Sequence, residues 1–272
     1  MKVSAVVVSF DSAATLDRCL ASLPRPEPGR FETLVVDNGS RDGSAELVRE
    51  RHPEARLMAL PDNVGFGAAV NRAAAEALGH LEPSGGSDAL LLLNADAWLL
   101  PGALDALAAR LASEPRLAWV APRLSYPDGR RQFAWEPEVS LLGEAARKVR
   151  NRFEGREWSH TLMPRVLAPL GPGWFTAACA LVRLTAFREV GGFDERFFLY
   201  FEDTDLCLRL RRAGWRLAQE RAAHVVHVSA GSGGGRAAAR SYRQAQLALY
   251  DKHRPRWEGA VLRRYLGWRG VL

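Results

Sequence analysis

The sequence predicts an α/β fold, a mainly parallel sheet covered by helices on both faces. Three observations carry that expectation. Short apolar runs, β-branched or leucine-rich, recur at Val3–Phe10, Glu32–Val36, Arg56–Leu60 and Asp88–Leu93. Segments with apolar residues at helical spacing separate them, and such alternation builds right-handed βαβ units. Polar residues close the runs, and ligands of parallel sheets lie beyond the carboxyl ends of the strands.

Val3–Phe10 is apolar almost without a break, as a strand buried on both faces requires. Ser12 can cap the helix that follows, where Leu16, Cys19, Leu20 and Leu23 share a face before Pro24 stops it. The second strand runs into Asp37-Asn38-Gly39-Ser40, and Ser44 opens a helix carrying Leu47 and Val48. The third strand precedes Asp62-Asn63-Val64-Gly65-Phe66-Gly67 and an Ala-rich helix to about Leu78. The fourth ends at Asn94-Ala95-Asp96, so Asp37, Asn63, Asn94 and Asp96 converge on one acidic, amide-rich crevice.

A helix at about Gly102–Ala112 and a strand at Leu117–Ala121 follow. Residues 125–170 carry no motif, and their basic clusters read as solvated faces or as a rim for an anionic acceptor. Trp174–Leu184 reads as one strand and Trp215–Val228 as another, before a Gly-rich turn at Gly231–Gly235 and a helix over about Ala237–Tyr250. No repeat and no domain linker interrupts the chain.

With 272 residues, 47% of them apolar, the chain can bury a sizeable core. Cys19, Cys179 and Cys207 are few, odd in number and set among apolar residues, which predicts reduced buried thiols in a cytosolic protein. The apolar run at the N-terminus stops at Asp11, too early for a signal peptide, and no segment is expected to cross a membrane. The net charge of +6 is concentrated at the C-terminus, because residues 236–272 hold nine Lys or Arg against two acids. That distribution argues against a nucleic-acid surface on the main body and for a basic appendage beside an anionic partner.

The densest chemistry lies at Gly191-Gly192-Phe193-Asp194-Glu195-Arg196-Phe197-Phe198-Leu199-Tyr200-Phe201-Glu202-Asp203-Thr204-Asp205. Three carboxylates follow directly on an aromatic wall. Partial exclusion of water raises a carboxyl pKa and suits it to accept a proton, so Glu202 and Asp203 are candidate general bases. Acids are also favoured in the first turn of a helix, which is the plainer explanation of the same residues.

The run GGFDERFFLYFEDTDLCLRLRRAGW resembles the acceptor-side motif of family 2 inverting glycosyltransferases, in their rhamnosyltransferase-like branch. VVVSFDSAATLDRCLASL, VVDNGSRDGS, LLLNADAWLLPGAL and HVSAGS resemble further family segments in the expected order. The resemblance implies a GT-A-like, Rossmann-type domain over 1–235, with a nucleotide-sugar half to about 124, an acceptor half over 125–235, and a basic helical tail at 236–272. Ser9, Asp11, Asp37, Asn63 and Asn94 are the candidates for the nucleotide donor, Asp37 matching the family's base-contacting acid, and Arg236 after the Gly-rich turn could close over a diphosphate or equally belong to an exposed basic helix face. The resemblance puts a divalent ion, Mn²⁺ or Mg²⁺, on Asp96 and His227, with His224 as the competing histidine. Asn94 stands where the family carries the first acid of an Asp-any-Asp motif, and an amide offers only a neutral oxygen. On the acceptor side it places Trp174 and Asp205, with Asp203 as base and Glu202 as its neighbour or substitute.

The implied reaction is a single displacement from a dTDP- or UDP-sugar, by family branch a rhamnose donor, to a glycan or polyprenyl-linked acceptor. It would belong to cell-surface polysaccharide synthesis. The aromatic and basic tail, with Tyr242, Tyr250, Trp257, Tyr265 and Trp268, fits an anionic membrane surface or equally a solvated helix or dimer contact. Two other classes compete. Gly65-Phe66-Gly67 at a strand-to-helix turn suggests a dinucleotide-dependent oxidoreductase, although the first strand turn has no glycine. The amide at position 94 suggests an inactive sugar- or lipid-binding module.

Overall fold

A computed structural model describes residues 1–79, 87–167, 173–229 and 236–270. Its first half contains β1 (Val3–Ser9), α1 (Ala13–Ala21), β2 (Phe31–Asp37), α2 (Ser44–Arg51), β3 (Arg56–Ala59), α3 (Phe66–Gly79) and β4 (Ala89–Asn94). The chain continues through β5 (Ala97–Leu99), α4 (Ala103–Ser113), β6 (Leu117–Ser125), β7 (Arg131–Gln132), β8 (Trp135–Glu136), α5 (Leu141–Asn151) and α6 (Ser159–Leu167). It closes with β9 (Trp174–Phe175), β10 (Cys179–Arg183), α7 (Leu184–Glu189), α8 (Glu202–Arg212), β11 (Arg216–His227), α9 (Arg236–His253) and α10 (Arg256–Trp268).

The main sheet runs β3-β2-β1-β4-β10-β6-β11-β5, with β7 paired to β6. The pairs among β1 to β4 are parallel, β10 is antiparallel to both β4 and β6, and β11 returns parallel to β6. Leu90 to Leu93 are fully buried, which explains why β4 reads as an unbroken leucine run rather than an alternating one. The chain leaves β1 toward β3 and returns to β4, so a crevice opens at their carboxyl ends. Register aligns Ser9 with Asp37 and Val8 with Asn94 along that edge.

Several sequence expectations are corrected. The single strand expected over Trp174–Leu184 is two, because Thr176–Ala178 leave the main sheet after β9 pairs with β8 in a separate ribbon. The short strand β5 was not anticipated. Residues 125–170 are not featureless: Arg150, only 2% exposed, ion-pairs with Glu136 at 2.6 Å and holds α5 against the ribbon. Gly173 lies so close to Glu136 that any Cβ would collide with its carbonyl oxygen. The turn expected at Gly231–Gly235 lies outside the described residues.

The basic tail folds back onto the main body. Leu249, Tyr250, Leu262 and Leu266 form a second core with Phe197, Phe201, Leu208 and Val139. Each such leucine contributes about 1.5–3 kcal/mol on burial. Lys252 pairs with Asp194 and Asp205, and Arg254 with Glu138 and Glu258, so part of the basic excess is neutralised by the fold itself.

Candidate active site

Ser9, Asp37 and Asn38 lie where β1 and β2 end. Ser9 is fully buried and Asp37 nearly so, and neither Ser9 Oγ nor Asp37 Oδ1 has a partner in the fold. Buried polar atoms normally find hydrogen bonds, so this adjacent pair marks a place made for a ligand. Asp11 is exposed with φ 47° and accepts from the Arg41 amide, fixing the loop above. Asn63 braces instead: its side-chain oxygen accepts from Asn38 Nδ2 and from the Gly65 amide, each at 2.9 Å. Asn38 Oδ1 in turn accepts from the Val64 amide. The sequence quoted Asn38 within a motif without giving it this task.

The glycines at 65 and 67 serve packing. A Cβ at Gly65, whose φ is 88°, would meet the Phe198 carbonyl at 2.5 Å, and one at Gly67 would meet the Phe193 ring. These approaches join the donor-side loop to the aromatic segment before α8 and remove the reason for a dinucleotide reading. Asn71, an amide on an otherwise Ala-rich helix, adds a reciprocal clamp. Its side chain donates to the Phe193 carbonyl and accepts from the Phe193 amide.

The tight turn Ala95-Asp96 and the short β5 bring Asp96 to the end of β11. Val228 donates to the Asp96 carbonyl, and His227 Nε2 lies 3.3 Å from Asp96 Oδ1. Gln132, buried on β7, orients this imidazole. Its Nε2 donates to the His227 carbonyl at 2.7 Å, which leaves Oε1 facing His227 Nδ1 at 3.1 Å. An amide oxygen only accepts, so Nδ1 carries a proton and Nε2 is the ring atom that a cation held beside Asp96 would take. Asp96 Oδ1 and Nε2 together make a setting that a divalent cation fits. Among the described residues no group of three or more His, Cys, Asp or Glu converges on a metal position. Two protein donors still suit an ion that takes its remaining oxygens from a diphosphate and water. His224 is exposed and directed to Arg123 at 3.5 Å, away from this pair. Gln132 was missed because it lies in a two-residue strand within the motif-free region.

Asp203 and Glu202 open α8. They follow Tyr200 and Phe201, both left-handed with φ 71° and 69°, a conformation that non-glycine residues rarely adopt. Asp203 is half-buried and accepts from the Ala177 amide at 3.1 Å, the Thr204 amide at 2.7 Å and the Thr204 hydroxyl. Burial raises its pKa, while these donors act in the opposite sense and support the anion. Glu202 is almost fully buried, its Oε2 has no partner, and burial reinforced by the Asp203 charge pushes its pKa up to about 8. The two carboxyls therefore differ: Glu202 has an unpartnered oxygen and a pKa pushed up to about 8, whereas Asp203 has three donors that offset part of its burial. Ala178, next to the amide that Asp203 accepts, receives the Asn94 amide on its carbonyl. The end of β4 and the acid that opens α8 thus meet within two peptide groups.

Asp205, expected to orient the helix or an acceptor hydroxyl, is engaged by the fold itself. It is fully buried and bound by Lys252 at 2.5 Å, His253 at 2.6 Å and Arg209 at 2.7 Å. Burial opposes its charge, yet those partners prevail and hold it below the ordinary carboxyl range. Trp174 pairs with Glu136 in the ribbon and lines a cleft behind it. Arg236 opens α9, and its side chain lies outside the described residues. The three cysteines are buried and unpaired, and burial drives each thiol pKa sharply upward.

The sheet and its flanking helices have the GT-A fold. The model of glycosyl transferase family 2 matches residues 4–191, and the chain belongs to that family. It is 34% identical over 266 residues to the N-acetylglucosaminyl-diphospho-decaprenol L-rhamnosyltransferase of Mycobacterium tuberculosis, covering 94% of this chain and 86% of that protein. It resembles the mannosyltransferase PcManGT from Pyrobaculum calidifontis in complex with GDP-Man and Mn²⁺, with a TM-score of 0.58, 18% identity, and coverage of 96% of this chain and 68% of that one. GalNAc-T7 with UDP, GalNAc and Mn²⁺ aligns with a TM-score of 0.60 and 14% identity, over 90% of this chain and 47% of its own.

Proposed function

We propose that this glycosyltransferase moves a rhamnosyl group from a nucleotide-diphosphate donor to an N-acetylglucosaminyl-diphospho-polyprenol, with inversion at the anomeric carbon. The observation that carries the reading is the junction at Ala177-Ala178. There an ionisable Asp203 is bonded one residue from the carbonyl that receives the donor-side Asn94. The similarity to the mycobacterial rhamnosyltransferase supports the choice of sugar and acceptor.

Asp203 accepts the proton of the acceptor hydroxyl as its oxygen attacks the anomeric carbon and the bond to the diphosphate breaks. Protonated Glu202 beside it avoids a second negative charge and can donate a hydrogen bond to the acceptor. Ser9 Oγ and Asp37 Oδ1 take polar atoms of the donor nucleotide. Asp96 and His227 would hold Mn²⁺ or Mg²⁺, which supplies positive charge to a departing diphosphate when bound. One carboxylate base suffices because no covalent glycosyl intermediate forms.

The exposed face of α10 supports peripheral attachment to an anionic membrane on its cytoplasmic side. Trp257, Val261, Tyr265 and Trp268 recur at helical spacing there, Trp268 at 81% exposure. No helix among the described residues is long and apolar enough to cross a membrane.

A donor screen that reads released nucleotide diphosphate tests the reaction. dTDP-rhamnose with the lipid-linked acceptor should give turnover that EDTA abolishes, and Asp96→Ala should remove Mn²⁺-dependent nucleotide binding. Turnover indifferent to EDTA would reject the metal assignment, and no turnover with any donor would favour a binding module.

A further inference from the structure

Behind the β8–β9 ribbon lies a cleft of about 600 Å³ that the catalytic reading leaves unused. Its walls are aromatic, formed by Trp135, Trp174, Phe175 and Trp215. Arg211, Arg216 and Arg221 border it, and no Asp or Glu lines it among the described residues. Arg211 reaches along the wall to donate to the Gly173 carbonyl, Arg216 pairs with Glu114 beyond the cleft, and Arg221 is exposed. An apolar slot bordered by guanidinium groups suits an amphiphile with an anionic head, because arginine matches phosphate oxygens in paired hydrogen bonds.

The cleft and the base share the segment Phe175–Ala177 and the helix α8. Ala177, whose amide bonds Asp203, lies two residues beyond Phe175, and the Phe175 carbonyl accepts from the Cys207 thiol on α8. Along α8 itself, the eight residues from Asp203 to Arg211 span about 12 Å at the α-helical rise.

We infer that this cleft seats the polyprenyl diphosphate of the acceptor, with the diphosphate at Arg211 and Arg221 and the first isoprene units between the tryptophans. The inference rests on the lipid-linked acceptor proposed above and adds where that lipid lies. The aromatic walls recognise the unsaturated chain and the arginines its head group, so neither half alone should bind well.

Farnesyl diphosphate is the probe, with inorganic pyrophosphate and farnesol as separate arms and binding read from tryptophan fluorescence. Farnesyl diphosphate should bind, compete with the lipid-linked acceptor and leave donor-nucleotide affinity unchanged. Arg221→Glu should weaken its binding about tenfold or more, with an unchanged melting temperature. In turnover the same variant should raise KM for the lipid-linked acceptor and leave a soluble N-acetylglucosaminide unaffected. Farnesol binding as tightly as the diphosphate, competition with the donor nucleotide, or indifference to Arg221→Glu would each overturn the assignment. Arg221-dependent binding without any sugar transfer would instead keep the lipid site and remove the proposed reaction.

Discussion

Gln132 holds His227 at two points, donating to its carbonyl and accepting from its Nδ1–H. One buried amide thus fixes a proton on Nδ1 and leaves Nε2 as the atom turned to Asp96. Gln132→Leu should lower Mn²⁺ affinity about 10–100-fold in the presence of nucleotide diphosphate, as loss of an orienting partner does at metal sites. Titration calorimetry measures it, and nitrogen NMR of His227 without metal should show mixed tautomers. His224→Ala should leave both readouts unchanged, and the reverse order would exchange the histidines.

Asp203→Asn keeps the shape of the side chain and removes the proton acceptor. kcat should fall by roughly 10²–10⁴-fold with little change in donor affinity, measured under saturating acceptor. Glu202→Gln should be milder, since the wild-type group is already neutral at pH 7. A greater loss in Glu202→Gln would move the base one residue back.

Glu202 also makes a stability prediction. With its folded pKa raised to about 8, the native state keeps a proton that the unfolded chain releases above about pH 4.5, so stability falls as pH rises between those values. Glu202→Gln should therefore melt higher than wild type at pH 8 and no differently near pH 4.5. The free-energy gap should be no more than about 5 kcal/mol at its widest. Parallel melting curves across that range would assign the shift to something other than this buried carboxyl.

Asp205→Asn should cost about 3–5 kcal/mol, because it leaves Lys252, His253 and Arg209 facing a neutral group in a dry interior. The depressed pKa of Asp205 makes its contribution full at neutral pH, and protonation removes it on acidification below about pH 4. Arg196→Ala, which breaks a pair whose arginine is 74% exposed, should leave stability close to that of the wild type. Urea unfolding of the two variants distinguishes the cases.

The parallel half of the fold was legible because strands buried on both faces must be apolar throughout, as Val3–Ser9 and Ala89–Asn94 are. Residues at strand ends were legible for the same reason, since Ser9, Asp37, Asn94 and Asp96 interrupt those runs. What escaped was set by pairing between distant segments. Gln132 acquires its task from a carbonyl 95 residues away, and Asp205 from a tail helix 48 residues on. Neither relation leaves a periodic trace. Asp205 could be read as orienting the helix or an acceptor hydroxyl, and only its counter-ions on the tail helix show what it binds in the fold.

The left-handed backbone at Tyr200 and Phe201 costs on the order of 1–3 kcal/mol per residue, and such a turn persists only when its surroundings enforce it. Here the enforcement comes from α9, where Tyr242 lies 5.2 Å from the Tyr200 ring and 4.8 Å from the Phe201 ring. The C-terminal helix acts as a latch on a sprung turn. A chain ending before residue 236 would keep its nucleotide crevice on β1, β2 and β4 but let that turn relax and carry Glu202 and Asp203 off target. Donor binding and sugar transfer would then separate, the first surviving a truncation that ends the second.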